Sequence, residues 1–235
     1  MQREKDGSTS ARDASETIRF EKLREADLVV GTYYLGGRDG NIGDEPISKL
    51  IPGSGNQGGI RSAGPANARR LVVLFTTWHD RDWPDAIDER TGRVTYFGDN
   101  KSPGRPLSPG GLGGNRTLEI AFHHLHAVQD GRRGIPPFFL FAHAPREASR
   151  RTVRFLGLCA PGFPAMPESD DLVAVWKTVG NERFQNYRAT LTLLDAPRVP
   201  RAWLSDLAEG HVLTVNTPEA WEEFVSRGTY RPIGM

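Results

Sequence analysis

Apolar and polar residues alternate over short runs through much of this chain, the pattern of strands with one buried and one wet face. The clearest case is 185–194, where Tyr187, Ala189, Leu191 and Leu193 interleave with Arg188, Thr190 and Thr192. The apolar run at 71–77 predicts a more fully buried strand, 138–143, 153–158 and 172–178 read as further strands, and 27–34 and 92–97 add two more. Helical spacing is rarer. Within 116–129, Leu118, Ala121, Phe122, Leu125 and Val128 share one face, with Asn115 placed to cap the helix and Gly131 to end it. A short helix is expected from Thr17 as cap through Ile18, Phe20 and Leu23, and a helical turn over 46–51. Beyond Asp195-Ala196-Pro197 the pattern turns helical again. Ala202-Trp203-Leu204 opens one segment, and a second has Pro218 at its start, Gly228 past its end, and Ala220, Trp221, Phe224 and Val225 on one face.

Many short strands with few helices predict an α+β, β-rich fold, and the 26 glycines and 17 prolines fit a chain with frequent turns. With 235 residues, 37% of them hydrophobic, one sizeable core is affordable and two large domains are not. The expected division is a polar, disordered tail over 1–16, a main domain over 17–197, and a helical appendage over 198–235. Ending soon after Tyr230-Arg231-Pro232, that appendage is expected to lead toward a further domain absent from this chain. Cys159 is the single cysteine, which excludes an internal disulfide and fits a reducing compartment. No window offers about 18 consecutive apolar residues, so no membrane association is expected and the reading is cytoplasmic.

The chemistry concentrates in one stretch. From Trp83-Pro84-Asp85-Ala86-Ile87-Asp88 to Thr95-Tyr96-Phe97-Gly98-Asp99-Asn100-Lys101, flat aromatic rings are interleaved with carboxylates, and the chain then turns basic. Rings of this kind can stack on a nucleobase, and an aspartate can accept a hydrogen bond from an exocyclic amino group. The net charge is only +1, yet residues 100–156 carry nine Lys and Arg against three Asp and Glu, a candidate track for phosphates. Ahead of it, the Gly53-Ser54-Gly55-Asn56-Gln57-Gly58-Gly59-Ile60-Arg61 run would let backbone amides approach a ligand, or would simply be a turn.

In order along the chain, Gly58-Gly59-Ile60-Arg61, the strand Leu71-Val72-Val73-Leu74, Trp83-Pro84-Asp85, Thr95-Tyr96-Phe97-Gly98 and Gly114-Asn115-Arg116-Thr117-Leu118 resemble the landmarks of SRA domains. The chain is more closely similar to the N-terminal recognition domain of AspBHI-type modification-dependent restriction endonucleases. That likeness runs from about Leu23 to Pro197, with Asn56-Gln57-Gly58-Gly59, Tyr96-Phe97-Gly98-Asp99-Asn100 and Phe184-Gln185-Asn186-Tyr187-Arg188 as further landmarks. It implies an SRA-like, PUA-related twisted β-barrel with flanking helices, acting as the modified-cytosine sensor of a restriction system in phage defence. Double-stranded DNA carrying 5-methylcytosine or a related base would be the partner, read by base flipping. The pocket set is Trp83, Asp85, Asp88, Tyr96 and Trp78, with Asp80 and Asp82 as other candidate carboxylates. The set expected on DNA is Gln57, Arg61, Asp99, Asn100, Lys101, Arg105, Arg116, Asn186 and Arg188. No catalytic residue, metal ligand or cofactor is expected in this chain; Mg2+ and cleavage would belong to a C-terminal nuclease domain. Homo-oligomerisation of the complete protein is left open.

Other readings stand beside this one. Pro84-Asp85 followed by Asp99-Asn100-Lys101 also spells the PD-(D/E)xK nuclease pattern, in which two carboxylates hold Mg2+ and a lysine assists water. Glycine and proline around the second half favour a turn over the strand such nucleases use. His123, His124 and His126 fit a solvated helix face better than a metal centre. A related barrel that reads phosphorothioate DNA or RNA is the remaining alternative.

Overall fold

The computed structural model describes residues 16–108, 113–127, 129–146 and 149–233, so the tail expected over 1–16 lies outside the described residues except for Glu16. In chain order the elements are β1 (Thr17–Ile18), β2 (Leu28–Val29), β3 (Tyr33–Tyr34), α1 (Ile47–Leu50), β4 (Ile60–Ala63), β5 (Leu71–Thr76), β6 (Ala86–Asp88) and β7 (Arg93–Phe97). There follow α2 (Gly114–His126), β8 (Phe138–His143), β9 (Val153–Pro161), α3 (Glu168–Asp171), β10 (Leu172–Val179), β11 (Glu182–Leu193), β12 (Arg198–Val199), α4 (Arg201–Glu209) and α5 (Glu219–Arg227).

Ten strands form one mixed sheet whose main path is β4-β5-β8-β9-β11-β7-β6. The alternating strand β11 organises it. Over its 12 residues it pairs with β10 through Glu182–Ala189, with β7 through Arg188–Thr192 and with β9 through Leu191–Leu193. The apolar strands β5 and β8 run parallel next to the edge strand β4, and Leu71 to Leu74 and Phe138 to Phe141 are buried there. Fold class is therefore β-rich α+β as the residue pattern predicts, although no pairing of β4 with β6 closes the path into a hydrogen-bonded barrel among the described residues.

The appendage is seated on the same core. Trp203, Leu207, Trp221 and Phe224 are fully buried. Their rings continue from the sheet in a chain, Phe139 to Trp203 at 6.0 Å, Trp203 to Trp221 at 6.4 Å and Trp221 to Phe224 at 5.3 Å. Tyr230 closes the set by donating to the Pro161 carbonyl at 2.7 Å. Burying each large apolar side chain contributes roughly 1.5–3 kcal/mol, so this segment is part of the fold's stability.

Three local expectations change. The helix expected after Thr17 is instead β1 plus a single 3-10 turn, because Thr17 and Ile18 pair in parallel with Tyr33 and Tyr34. The strand expected over 27–34 breaks into β2 and β3 at Gly31, whose φ of +87° redirects the chain. Helix α2 starts at Gly114, and its cap comes from far away in sequence: Asp99 accepts from the N–H groups of Gly114 at 2.7 Å and Asn115 at 2.9 Å.

Candidate functional site

The glycine-rich 56–59 loop, the ends of β5 and β7, and the start of β9 enclose a cleft of about 780 Å3. Its geometry follows from a few pinning contacts. Tyr96, buried on β7, donates its hydroxyl to the Gly59 carbonyl at 2.9 Å and lies 3.1 Å from the Phe75 carbonyl, which fixes the loop against the sheet. Burial pushes the phenol well above its ordinary range, so Tyr96 stays a neutral donor. Arg61 donates to Glu45 at 2.8 Å and to the Gly58 carbonyl at 2.9 Å, forming a buried ion pair in the cleft wall.

Asp85 supplies the carboxylate. It sits half-buried just before β6 and accepts from the Phe97 N–H at 2.9 Å. Burial raises its carboxyl above the usual range, against the lowering effect of the Phe97 amide, the Thr76 hydroxyl and the Lys101 charge. A carboxylate taken partly out of water and left with unused lone pairs is a strong acceptor for a ligand N–H. Nearby, Lys101 pairs with Asp80 at 2.6 Å. Burial works against ionisation of Asp80, but Lys101 and the Trp83 and Asp82 amides outweigh it and hold that carboxyl below the usual range.

The turn after β7 is a lattice of side chain to backbone bonds. Asn186 accepts from the Asn100 N–H at 3.2 Å and donates to the Gly98 carbonyl at 3.0 Å, while Asn100 donates to the Gln185 carbonyl at 2.8 Å. Asn115 accepts from the Asp99 N–H at 3.0 Å, returning the cap that Asp99 gives to α2. A Cβ on Gly98 would overlap Asn115 Oδ1 and come within 2.6 Å of Asn186 Oδ1, so only glycine fits.

Several expected site residues therefore have other work. Trp83 is 3% exposed and packs on Phe97 at 5.5 Å and Phe184 at 6.0 Å, so it is a core ring and not a cleft wall. Asp88 caps the β6–β7 turn, accepting from the Arg90 N–H at 3.1 Å, away from the cleft. Trp78 is 46% exposed but faces a second cavity. Asn100 and Asn186 are buried and lock the turn, although the Asn100 Oδ1 itself has no partner among the described residues. Arg61 is held by Glu45 and is not a mobile arm. Asp99 lines the cleft while capping α2.

Of the rest, Gln57 and Lys101 line the cleft and are exposed. Arg105 and Arg116 are exposed and Arg188 half-buried; Arg116 pairs with Glu119 at 2.6 Å. Residue-level reasoning overlooked Arg150 and Arg151, exposed between β8 and β9 and lining the cleft. The basic excess over 100–156 contained that signal, but spacing could not say which of its nine cations reach the cleft. The residues of the nuclease pattern, Asp85, Asp99 and Lys101, all line the cleft, but both Asp99 oxygens serve α2 and Lys101 pairs with Asp80. His126 lies 3.1 Å from Asp171, an α2–α3 contact, and the described residues contain no group of three His, Cys, Asp or Glu that could hold a metal. No described helix is long and apolar enough to cross a membrane.

Known proteins agree with this architecture. The family model described as "Restriction endonuclease AspBHI N-terminal" matches residues 28–235. The structure of the DNA recognition domain of the cytosine modification-dependent restriction endonuclease LpnPI superposes with a TM-score of 0.89 at 40% identity, covering 95% of this chain and 98% of that one. The DNA modification-dependent restriction endonuclease AspBHI gives 0.84 at 37% identity, with 93% and 99% covered. The MspJI restriction endonuclease in complex with a 27-mer oligonucleotide gives 0.64 at 22% identity, with 89% and 55% covered, a likeness of fold. No curated protein matches.

Proposed function

Since this chain belongs to the restriction endonuclease AspBHI N-terminal family, we propose that it is a DNA-recognition domain that flips a modified cytosine out of duplex DNA into the cleft beside Asp85. The observation that carries this reading is a half-buried, underused carboxylate in a cleft whose wall also carries the rings of Phe75, Tyr96 and Phe97. Asp85 accepts from the cytosine N4 amino group. Thymine would set a carbonyl against the same carboxylate and be rejected.

Energies are consistent with a flip assisted from outside the cleft. Stacking contributes roughly 1–3 kcal/mol per base, comparable with the few kcal/mol lost on unstacking and unpairing. The surplus comes from phosphate contacts by Lys101, Arg150 and Arg151, which line the cleft, and by the exposed Arg105, with Gln57 on the glycine loop reaching toward the duplex. A methyl group in an apolar notch discriminates by about 10–200-fold, so preference for the modified base is real but finite. Strand scission is assigned to another part of the enzyme, because Asp99 and Lys101, two of the three residues that could mimic a nuclease centre here, are already engaged.

Titration with otherwise identical duplexes carrying cytosine, 5-methylcytosine or thymine at one position, beside RNA and phosphorothioate DNA, tests the reading. Tighter binding of the methylated duplex is expected. Equal affinity for methylated and unmodified duplexes would overturn it.

A further inference from the structure

Strand β10 is an open edge of the sheet. It has eight residues and pairs only with β11 among the described residues, so the backbone N–H and C=O groups along its outer side have no ladder partner. Edges of that length are ordinarily guarded against another chain by free charges, prolines or bulges. Here the guard is missing. The run Leu172-Val173-Ala174-Val175-Trp176-Lys177-Thr178-Val179 holds no proline, and its one charge is diverted: Lys177 pairs with Asp82 at 2.6 Å and lies 5.3 Å from the centre of the Trp83 ring. The ends of the main path, β4 and β6, are shorter, with four and three residues. Two large apolar side chains stand exposed on β10, Trp176 at 55% and Val179 at 49%, with the Arg183 guanidinium 4.7 Å over the Trp176 ring. Neither lines the cleft, so whatever covers them is separate from base recognition.

We propose that β10 pairs antiparallel with β10 of a second copy of this chain, in the register that sets Trp176 opposite its own mate. What selects a second copy is that the strand is complementary to itself. Residues directly opposite in an antiparallel ladder share one face of the sheet, and a slip of one residue would set one face against the other. Across a two-fold axis through position 176, Trp176 meets Trp176, Val173 meets Val179, Ala174 meets Thr178 and Val175 meets Lys177. Both exposed apolar side chains are then covered by apolar ones, the small Ala174 and Thr178 leave room for the two indoles, and no like charges are opposed. Other axes lose this match. An axis through position 177 sets the two Lys177 ammonium groups against each other, and one through position 175 sets Trp176 against Ala174 and leaves Val179 past the strand end, opposite Asp171. Pairing of this kind is isologous, so it closes at two copies.

An interface built on one strand edge is small, so the association is weak: sedimentation equilibrium of the natural chain over about 1–500 µM should show a reversible monomer to dimer transition with its midpoint at about 10–100 µM. Trp176→Lys places like charges directly opposite each other and should raise that midpoint by about 10-fold or more, while the protein still melts cooperatively. Disulfide trapping reads the register, and it is clean because the single cysteine, Cys159, is buried. The double variant Ala174→Cys with Thr178→Cys keeps Trp176 and should cross-link two copies under mild oxidation. Ala174→Cys alone should not, because its mate then lies four residues along the strand, about 13 Å away, beyond the reach of a disulfide. A monomer across the whole concentration range, a dimer indifferent to Trp176→Lys, or equal trapping of the single and double variants would each overturn the proposal. If Trp176→Lys fails to melt cooperatively, trapping decides, and absence of cross-linking in the double variant overturns it.

Discussion

Replacing Asp85 by asparagine should separate recognition from stability. Asparagine keeps the shape but carries one acceptor and one donor. If its oxygen continues to accept from the Phe97 N–H, now at 2.9 Å, its NH2 group meets the cytosine N4 amino group, donor against donor. If it turns over, the same conflict moves to Phe97. A hydrogen bond to a charged group contributes about 1.5–3 kcal/mol, so affinity for the methylated duplex should fall by about 10–150-fold. Affinity for unmodified duplex bound only through phosphates should hardly change. Stability runs the other way. Burial lifts the Asp85 carboxyl above its unfolded value, so the native state holds that proton more tightly, and the ionised group costs folding free energy as pH rises through the raised value. Removing the charge should leave the melting temperature at neutral pH unchanged or higher. Fluorescence anisotropy titrations and thermal melts of the two proteins measure both quantities. An unchanged affinity for the methylated duplex in a folded Asp85→Asn protein would refute the assignment of Asp85 as the base acceptor.

For the natural protein, affinity for methylated DNA should weaken with falling pH at higher pH values than an ordinary aspartate would require, because protonated Asp85 loses its charge and one of its acceptor sites; titrations across a pH series at constant salt check this. Trp83→Ala should cost about 3–5 kcal/mol of stability, as for other buried aromatic rings, while the milder Trp83→Phe should keep the affinity ratio unchanged; denaturant melts and titrations read the two effects. Joint replacement of Arg150 and Arg151 by alanine should weaken methylated and unmodified duplexes alike, and should flatten log K against log salt by about 0.9 for each phosphate that is no longer neutralised. Tyr96→Phe removes the hydroxyl that ties the glycine loop to β7, and should lower the melting temperature by about 2–4 °C for each kcal/mol of destabilisation, as measured by calorimetry, together with methylated-duplex affinity.

The sheet was largely legible in the residues because period-two alternation in β11 and unbroken apolar runs in β5 and β8 are imposed by burial alone. Strands β4 and β6 were not. β4 follows a glycine-rich loop that masks its alternation, and β6 has only three residues, too few to show a period. At the cleft, Asp85 and Tyr96 were among several candidates that the aromatic and acidic stretch offered, and both line it. What local sequence could not reveal was which way each neighbour points. Trp83 lies two residues before Asp85, yet its ring is captured by Phe97 and Phe184, the second of these 101 positions away in sequence and therefore invisible to local reading. Asn100 and Asn186 look like free polar groups on paper. Only the fold brings them together, where each satisfies backbone groups of the turn that holds the other. Arg150 and Arg151 show the converse, a bland basic surface in sequence that tertiary structure carries to the mouth of the cleft.

The central claim is that a modified cytosine leaves the stack and enters the cleft beside Asp85. A duplex with a fluorescent base, quenched by stacking, placed next to the modified cytosine reports that event directly. Saturating the methylated duplex with this chain should raise the fluorescence, and Asp85→Asn at saturation should raise it markedly less. Full binding of the methylated duplex with no rise would contradict the account.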